Sequence, residues 1–221
     1  MHTLLRYFLV LFSASILSAN SFATSLLDDP DNPIRLFALF HDDVPEHKKN
    51  SIYGAQIRPF IDEFEKITNR KIRVIYDERR PPYTNFNYHS EDHNKMFEDW
   101  KSLAWQYKIE RHEKNEFHFS RNDRILLITD NFINGTPILG GVAGLASRPG
   151  YSAIASLHYG QTIGHELGHT FNAVHEHSEV FYNGWWCETF MTPTPLILRS
   201  NCLVFSEANQ NRIKTYVDSL Y

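Results

Sequence analysis

The chain has 221 residues, of which 42% are hydrophobic and 14% aromatic, so it can bury a substantial core without depending on disulfides for its stability. Its formal net charge is −4 at pH 7, and it contains no long run of one charge sign. The charge therefore gives no reason to expect nucleic acid as a partner.

The amino terminus has the layout of a secretory signal peptide. A basic start precedes an apolar stretch over residues 7–17, and small residues follow up to Ala23. An uncleaved membrane anchor is the alternative, but the apolar stretch is shorter than the roughly 20 residues that span a bilayer. We expect cleavage before Thr24, export to the periplasm or the medium, and a short linker or pro-segment over residues 24–33.

The chain has two cysteines, Cys187 and Cys202. An even count in an exported chain predicts one disulfide bond, because the compartment is oxidising. Two buried free thiols are the alternative.

Strand and helix patterns follow one another along the chain. Strands are predicted at residues 34–40, 72–76, 124–129, 140–147 and 152–157. Amphipathic helices are predicted over residues 51–68, with Ser51 as the N-cap, and over residues 94–112. A third helix is expected directly after the last of these strands. The order predicts a mixed sheet with packed helices, in an α/β or α+β fold.

Residues 165–177 read HELGHTFNAVHEH and form the motif most suggestive of chemistry. His165 and His169 are four residues apart, so on a helix they project from one face and can bind the same metal ion. Glu166 lies beside them, which completes the HExxH arrangement of zinc peptidases. The surrounding apolar residues favour a buried helix over a solvated histidine-rich patch.

A third ligand is needed for a catalytic zinc site, which uses three protein ligands and leaves a position for water. His175 is the natural choice, and since it lies six residues past His169, the helix must end and the chain must turn back between them. Asn172 provides the turn, because asparagine readily adopts the left-handed conformation that ends helices. Glu176 and His177 are the other candidates.

The extended pattern resembles the metzincin clan of zinc endopeptidases. Their signature is HExxHxxGxxH followed by a methionine-containing turn, and here Asn172 stands in place of the glycine while CETFMTPTP offers Met191 as the turn methionine. The last predicted helix, within FSEANQNRIKTYVDSL, resembles the closing helix of the adamalysin-like (reprolysin-like) branch. The resemblance implies a metzincin-like zincin fold: a twisted mixed sheet with an antiparallel edge strand, an active-site helix, the methionine turn and a C-terminal helix. It also implies one catalytic domain over residues 34–221.

The resemblance also implies the roles of individual residues. One zinc ion would be held by His165, His169, His175 and a water molecule, and Glu166 would act as general base and then as general acid. Met191 would support the site by packing. Some metzincin branches have a tyrosine ligand where this chain has Pro193, so that ligand is not expected.

The substrate, a protein or peptide, would lie antiparallel to the edge strand, held by main-chain hydrogen bonds. The resemblance assigns this role to Gly141, Val142, Ala143, Gly144 and Leu145. Trp185 and Trp186 lie where the family builds the wall of its specificity pocket, and at least one of them is expected in the core. The remaining histidines, including His41, are predicted to be surface residues.

These inferences predict a secreted or periplasmic zinc metalloendopeptidase that acts as a monomer, without nucleic acid and without a membrane after signal cleavage. Two alternatives stay open. One is an exported zinc-binding effector or binding protein without proteolysis, against which Glu166 argues, because a structural zinc site needs no carboxylate there. The other is an amidase that acts on a cell-wall peptide.

Overall fold

The computed structural model describes residues 33–118, 120–136, 140–182, 184–194, 196 and 198–221. The predicted signal peptide and nearly all of the predicted linker lie outside these residues, so the cleavage site stays a prediction. Within the described ranges, no helix is both long and apolar enough to cross a membrane.

The secondary structure alternates between strands and helices in the first half of the chain and places most of the short strands in the second half. The strands are β1 (Ile34–Phe40), β2 (Ile72–Glu78), β3 (Arg124–Thr129), β4 (Asn134–Thr136), β5 (Gly140–Val142), β6 (Gly144–Ala146), β7 (Ser152–Ser156), β8 (Val180–Tyr182), β9 (Trp186–Glu188) and β10 (Ser200–Asn201). The helices are α1 (Glu46–Ile52), α2 (Arg58–Thr68), α3 (His93–Glu113), α4 (Thr162–Thr170) and α5 (Glu207–Asp218). A π-helical turn over Tyr53–Ile57 joins α1 to α2, and a 3₁₀ helix covers His175–His177.

The main sheet has five strands in the order β2-β1-β3-β7-β6. The first four are parallel, and β6 pairs antiparallel with β7 at the edge. Parallel strands covered on both faces consist of nearly continuous apolar residues, which explains why the predicted bounds of β1 and β3 agree with the structure. The prediction of a mixed α/β fold with an antiparallel edge strand is confirmed.

Two hydrophobic cores lie on opposite faces of this sheet. β1 sends Leu36 and Ala38 to one core and Phe37 and Leu39 to the other, because alternate side chains of a strand point to opposite faces. Residues of α2, α4 and α5 fill the first core, and residues of α3 fill the second. The helix α4 that carries the HExxH motif is therefore packed against the sheet.

Two predicted elements are wrong in their bounds. The first helix begins at Glu46, so Ser51 lies inside it and does not cap it. The exposed polar turn before Ser51 carries no apolar pattern, and the sequence reading missed it for that reason. The predicted strand over 140–147 is divided at Ala143, because β5 forms a hairpin with β4 whereas β6 pairs with β7.

A polar network joins the ends of β1 and β3, and it includes His41, which is half-buried rather than a surface residue. His41 Nδ1 lies 2.7 Å from Asp43 Oδ1, and its Nε2 lies 3.1 Å from the Phe86 carbonyl oxygen. The Tyr88 hydroxyl donates to Asp43 Oδ2, and the Asp130 amide donates to Asp43 Oδ1 at 3.1 Å. Burial alone would raise the pKa of Asp43, but the hydrogen bonds from His41 and Tyr88 outweigh it and hold that pKa below its usual range.

We predict that Asp43→Asn lowers the free energy of unfolding by about 2 kcal/mol at pH 7, since it weakens hydrogen bonds to a charged group. Because the folded-state pKa of Asp43 is depressed, its contribution is present above about pH 4 and is lost as the pH falls further. Urea unfolding at pH 7 and at pH 3 should therefore show a smaller difference between variant and wild type at pH 3. Asp42→Asn, at an exposed neighbouring position, is the control, and an equal effect of both variants would contradict the assignment.

Candidate metal centre

The helix α4 has one apolar face, which packs in the first core, and another face, which carries two histidines. Ile163, Leu167 and Phe171 recur every four residues and are almost completely buried in the first core. His165 and His169 lie between them on the other side, one helical turn apart. The apolar face therefore fixes the direction in which the two imidazoles point.

The chain turns back immediately after α4. The helix ends at Thr170, and Asn172 adopts the left-handed conformation with a φ of 76°. The Asn172 amide donates to the His169 carbonyl at 3.0 Å, and the Ala173 amide donates to the Gly168 carbonyl at 3.0 Å, so the last carbonyl groups of the helix are satisfied. This turn brings His175 to the same side as the two helical histidines.

Three imidazoles converge at this point. His175 Nε2 lies 2.9 Å from His165 Nε2 and 2.9 Å from His169 Nε2. His165 Nδ1 lies 2.7 Å from the Phe190 carbonyl and His169 Nδ1 lies 2.9 Å from the Ala173 carbonyl, so each Nδ1 must carry the proton and donate it. In the neutral rings both Nε2 atoms then present lone pairs toward His175, an arrangement that a shared cation satisfies.

The charge state of the rings agrees with this arrangement. Burial lowers the pKa of His165 to about 4 and that of His169 to about 2, and it also lowers the pKa of His175. Neutral imidazoles are the form that binds metal ions. Within the described residues, these three side chains are the only cluster of histidine, cysteine or acidic groups close enough to hold a metal ion together, and a donor set of three imidazole nitrogens fits zinc.

Glu166 lies next to the cluster and is 5% exposed. Among the residues that the structure describes, its Oε2 atom has no hydrogen-bond partner. Burial raises the pKa of Glu166 to about 8, while the Arg148 guanidinium acts in the opposite direction. A carboxyl group whose pKa is near neutrality can both accept a proton and return it.

A tight turn containing Met191 packs beneath α4. Met191 is completely buried, and a Cβ atom added to Gly168 would stand 2.9 Å from its sulfur. A Cβ at Gly164 would stand 2.3 Å from the Phe190 ring. These two glycines allow the turn to approach closely enough for the Phe190 carbonyl to accept from His165, and the sequence reading did not identify them.

The helix α5 holds the segment that leads to His175. The Asn209 side chain accepts from the Val174 amide at 2.9 Å and donates to the Val174 carbonyl at 3.1 Å. Arg212 donates to the backbone and side-chain oxygens of Asn172 at 2.9 and 2.8 Å. These partners are more than 30 residues from the turn in sequence, and no local pattern could have identified them.

A cleft of about 430 Å³ lies over His165, Glu166 and His175. The five predicted substrate-binding residues all line it, although they belong to two elements: Gly141 and Val142 lie in β5, Gly144 and Leu145 lie in β6, and Ala143 lies between them. A Cβ at Gly144 would stand 2.6 Å from the Cγ and Oε1 atoms of Glu166. Glycine at this position therefore allows the edge strand and the carboxyl group to lie side by side.

The segment after Met191 borders the cleft through Thr192, Pro193 and Thr194. The predicted disulfide between Cys187 and Cys202 is present and encloses this segment. Inside the loop, the buried Glu188 carboxylate accepts from the Leu196 amide at 3.1 Å and pairs with Arg199 at 3.1 Å. The border of the cleft is thus held by covalent and polar links.

The prediction that Trp185 or Trp186 lies in the core is wrong. The two side chains are 60% and 53% exposed. Neither lines the cleft described above. A larger cavity of about 650 Å³ lies beside β4, and none of the predicted site residues lines it.

The fold places three converging imidazoles and a buried carboxyl group at one cleft. No protein-family model matches the sequence, and no curated protein does. Among solved structures, the chain is similar to archaemetzincin from Methanopyrus kandleri, with 17% identity, a TM-score of 0.50, and coverage of 84% of this chain and 96% of that one. It is also similar to archaemetzincin from Archaeoglobus fulgidus complexed with malonate, with 12% identity, a TM-score of 0.39, and coverage of 81% and 99%. At 17% identity the likeness to the first of these structures concerns the fold, which is metzincin-like.

We predict that His175→Ala weakens zinc binding by more than the roughly 10–100-fold that loss of an outer-shell partner costs. His177→Ala is the matched control, since His177 belongs to the same 3₁₀ helix but not to the cluster. Chelator competition with zinc measures the affinity of each variant. Unchanged zinc affinity in His175→Ala would contradict the assignment of His175 as third ligand and would favour His177 or Glu176 in that role.

Proposed function

We propose that this protein is an exported, zinc-dependent endopeptidase that hydrolyses peptide bonds. The observation that carries the proposal is the convergence of three neutral imidazoles beside a buried carboxyl group, on the floor of a cleft bordered by a sheet edge. A structural zinc site is closed by four protein ligands, and the described residues supply three. A hydrolytic zinc site also needs a general base beside the metal ligands, and the carboxyl group of Glu166 can take that role.

Zinc bound by His165, His169 and His175 would act as a Lewis acid toward the scissile carbonyl and would lower the pKa of the attacking water. Glu166 would accept a proton from the attacking water through its unpartnered Oε2 atom and would return it to the leaving amine. The carbonyls of Phe190 and Ala173 keep two of the rings in one tautomer and one orientation. The packing of Met191 below α4 holds the Phe190 carbonyl, and the contacts of Asn209 and Arg212 with the turn after α4 hold the Ala173 carbonyl.

The substrate binds as an additional strand at the outer edge of β6. This strand is the last of the main sheet, so its outer side is available for main-chain hydrogen bonds. Gly141 and Gly144 leave the wall without side chains at those positions, which allows a peptide backbone to approach. Recognition of main chain rather than of a chain end supports cleavage at internal bonds.

Export is supported by the disulfide bond, which forms in an oxidising compartment, and by the predicted signal peptide. The adamalysin-like branch is the finer hypothesis and rests on the closing helix α5. A protein or peptide substrate, one zinc ion per chain and a monomeric state complete the proposal.

The test is mass-spectrometric mapping of cleavage by the zinc-loaded protein in a mixed library of peptides and cell-wall peptides. Glu166→Gln is the matched control, since it keeps the shape of the side chain and removes its basicity. We expect internal cuts in ordinary peptides that disappear in the variant while its zinc content is retained. Cuts confined to cell-wall peptides would favour the amidase alternative. No cuts by the folded, zinc-loaded wild type would contradict the proposal and favour a binding protein.

We further predict that Gly144→Ala lowers kcat/KM by about 100-fold, since misplacement of a catalytic group by about 1 Å costs this much. The added Cβ would stand 2.6 Å from Glu166 and 2.7 Å from the Ile154 carbonyl oxygen, so the carboxyl group and the edge strand would be pushed apart. The histidines keep their contacts with Phe190 and Ala173, so the zinc content should not change. Gly160→Ala is the control, because a Cβ at that position meets nothing within 4 Å. If Gly144→Ala kept the wild-type kcat/KM, the close contact between Gly144 and Glu166 would not be required for catalysis.

A further inference from the structure

Arg148 lies at one end of the cleft and has no role in the proposed chemistry. It follows the end of β6 at Ala146 by two residues, and its exposed side chain lines the same cleft as His165, Glu166 and His175. The Gly150 amide donates to the Thr170 carbonyl at 3.2 Å, which holds this loop against the end of α4. The guanidinium is therefore presented to the cleft by an anchored loop.

The charge of Arg148 is not neutralised within the part of the chain that the structure describes. Arg35, Arg111 and Arg199 each form an ion pair with a carboxylate, whereas Arg148 has no ion pair or hydrogen bond with any described residue. Glu166 is the one acidic residue among the described residues that line the cleft, and it lies at the metal cluster.

The direction of the cleft determines which part of a substrate meets Arg148. Gly144 lies against Glu166, so the scissile bond lies near Gly144. Arg148 lies beyond the C-terminal end of β6, in the turn that leads to β7. A peptide that binds antiparallel to β6 runs in the opposite direction, so its residues on the N-terminal side of the scissile bond approach Arg148.

We propose that Arg148 is a specificity-determining residue that binds a carboxylate of the substrate, an aspartate or glutamate side chain about two to four residues before the cleaved bond. A guanidinium binds a carboxylate through two parallel hydrogen bonds, and the glycine-rich wall opposite Glu166 leaves side-chain recognition to the ends of the cleft. This inference rests on the proposed peptidase function and names its substrate class.

The test compares peptide pairs that differ only by glutamate or glutamine, placed at each position from four residues before to four residues after a mapped cleavage site. We expect the wild type to prefer glutamate by about 10-fold or more in kcat/KM at one position before the bond. Arg148→Glu should abolish or invert the ratio, and Arg148→Gln should bring it close to one. Arg73→Glu is the matched control for net charge, since Arg73 lies exposed on β2 away from the cleft, and it should keep the wild-type ratio.

Binding of the same peptides to zinc-loaded Glu166→Gln protein, followed by fluorescence anisotropy, separates the two proposals because it requires no turnover. A glutamate preference that depends on Arg148 in binding, without any cleavage by the wild type, would support the Arg148 site and overturn the peptidase function. Glu166-dependent cleavage without an Arg148-dependent preference would overturn the Arg148 proposal alone. A preference confined to positions after the bond would also overturn it, since the peptide would then run in the other direction.

Discussion

The histidine cluster depends on one backbone conformation, the left-handed turn at Asn172. His175 cannot share a helical face with His165 and His169, so α4 has to end and the chain has to reverse within a few residues. A glycine adopts this conformation at the lowest steric cost, but a glycine has no side chain. The amide oxygen of Asn172 accepts from Arg212, and in this way asparagine connects the turn to α5. The geometry of the cluster is thereby coupled to the last helix of the chain.

Close packing around α4 is the second requirement of the site. Gly164 and Gly168 admit the turn that carries Met191, and Gly144 admits the carboxyl group of Glu166 on the opposite side. In each case the Cβ of an alanine would stand within 3 Å of its neighbour. The missing side chains at Gly164 and Gly168 allow the Phe190 carbonyl to reach His165, and this carbonyl determines which nitrogen of that ring faces the centre.

Both backbone groups and side chains line the cleft. Its edge-strand wall is rich in glycine and offers main-chain groups, which under the proposed function would bind an extended peptide. Arg148 adds a charged side chain to the same cleft. The opposite border is held by the disulfide between Cys187 and Cys202 and by the buried Glu188. The covalent and polar links therefore restrict the movement of this border.

The sequence by itself determined the features that depend on neighbours along the chain. Continuous apolar runs identified β1 and β3, since strands buried on both faces have no other pattern, and the histidine spacing identified the helical pair and the turn toward His175. The tertiary structure alone decided the start of α1, the division of the edge segment at Ala143, and the anchoring of the turn by Asn209 and Arg212. It also brought Arg148 to the cleft. These features depend on contacts between distant residues, which no local periodicity records.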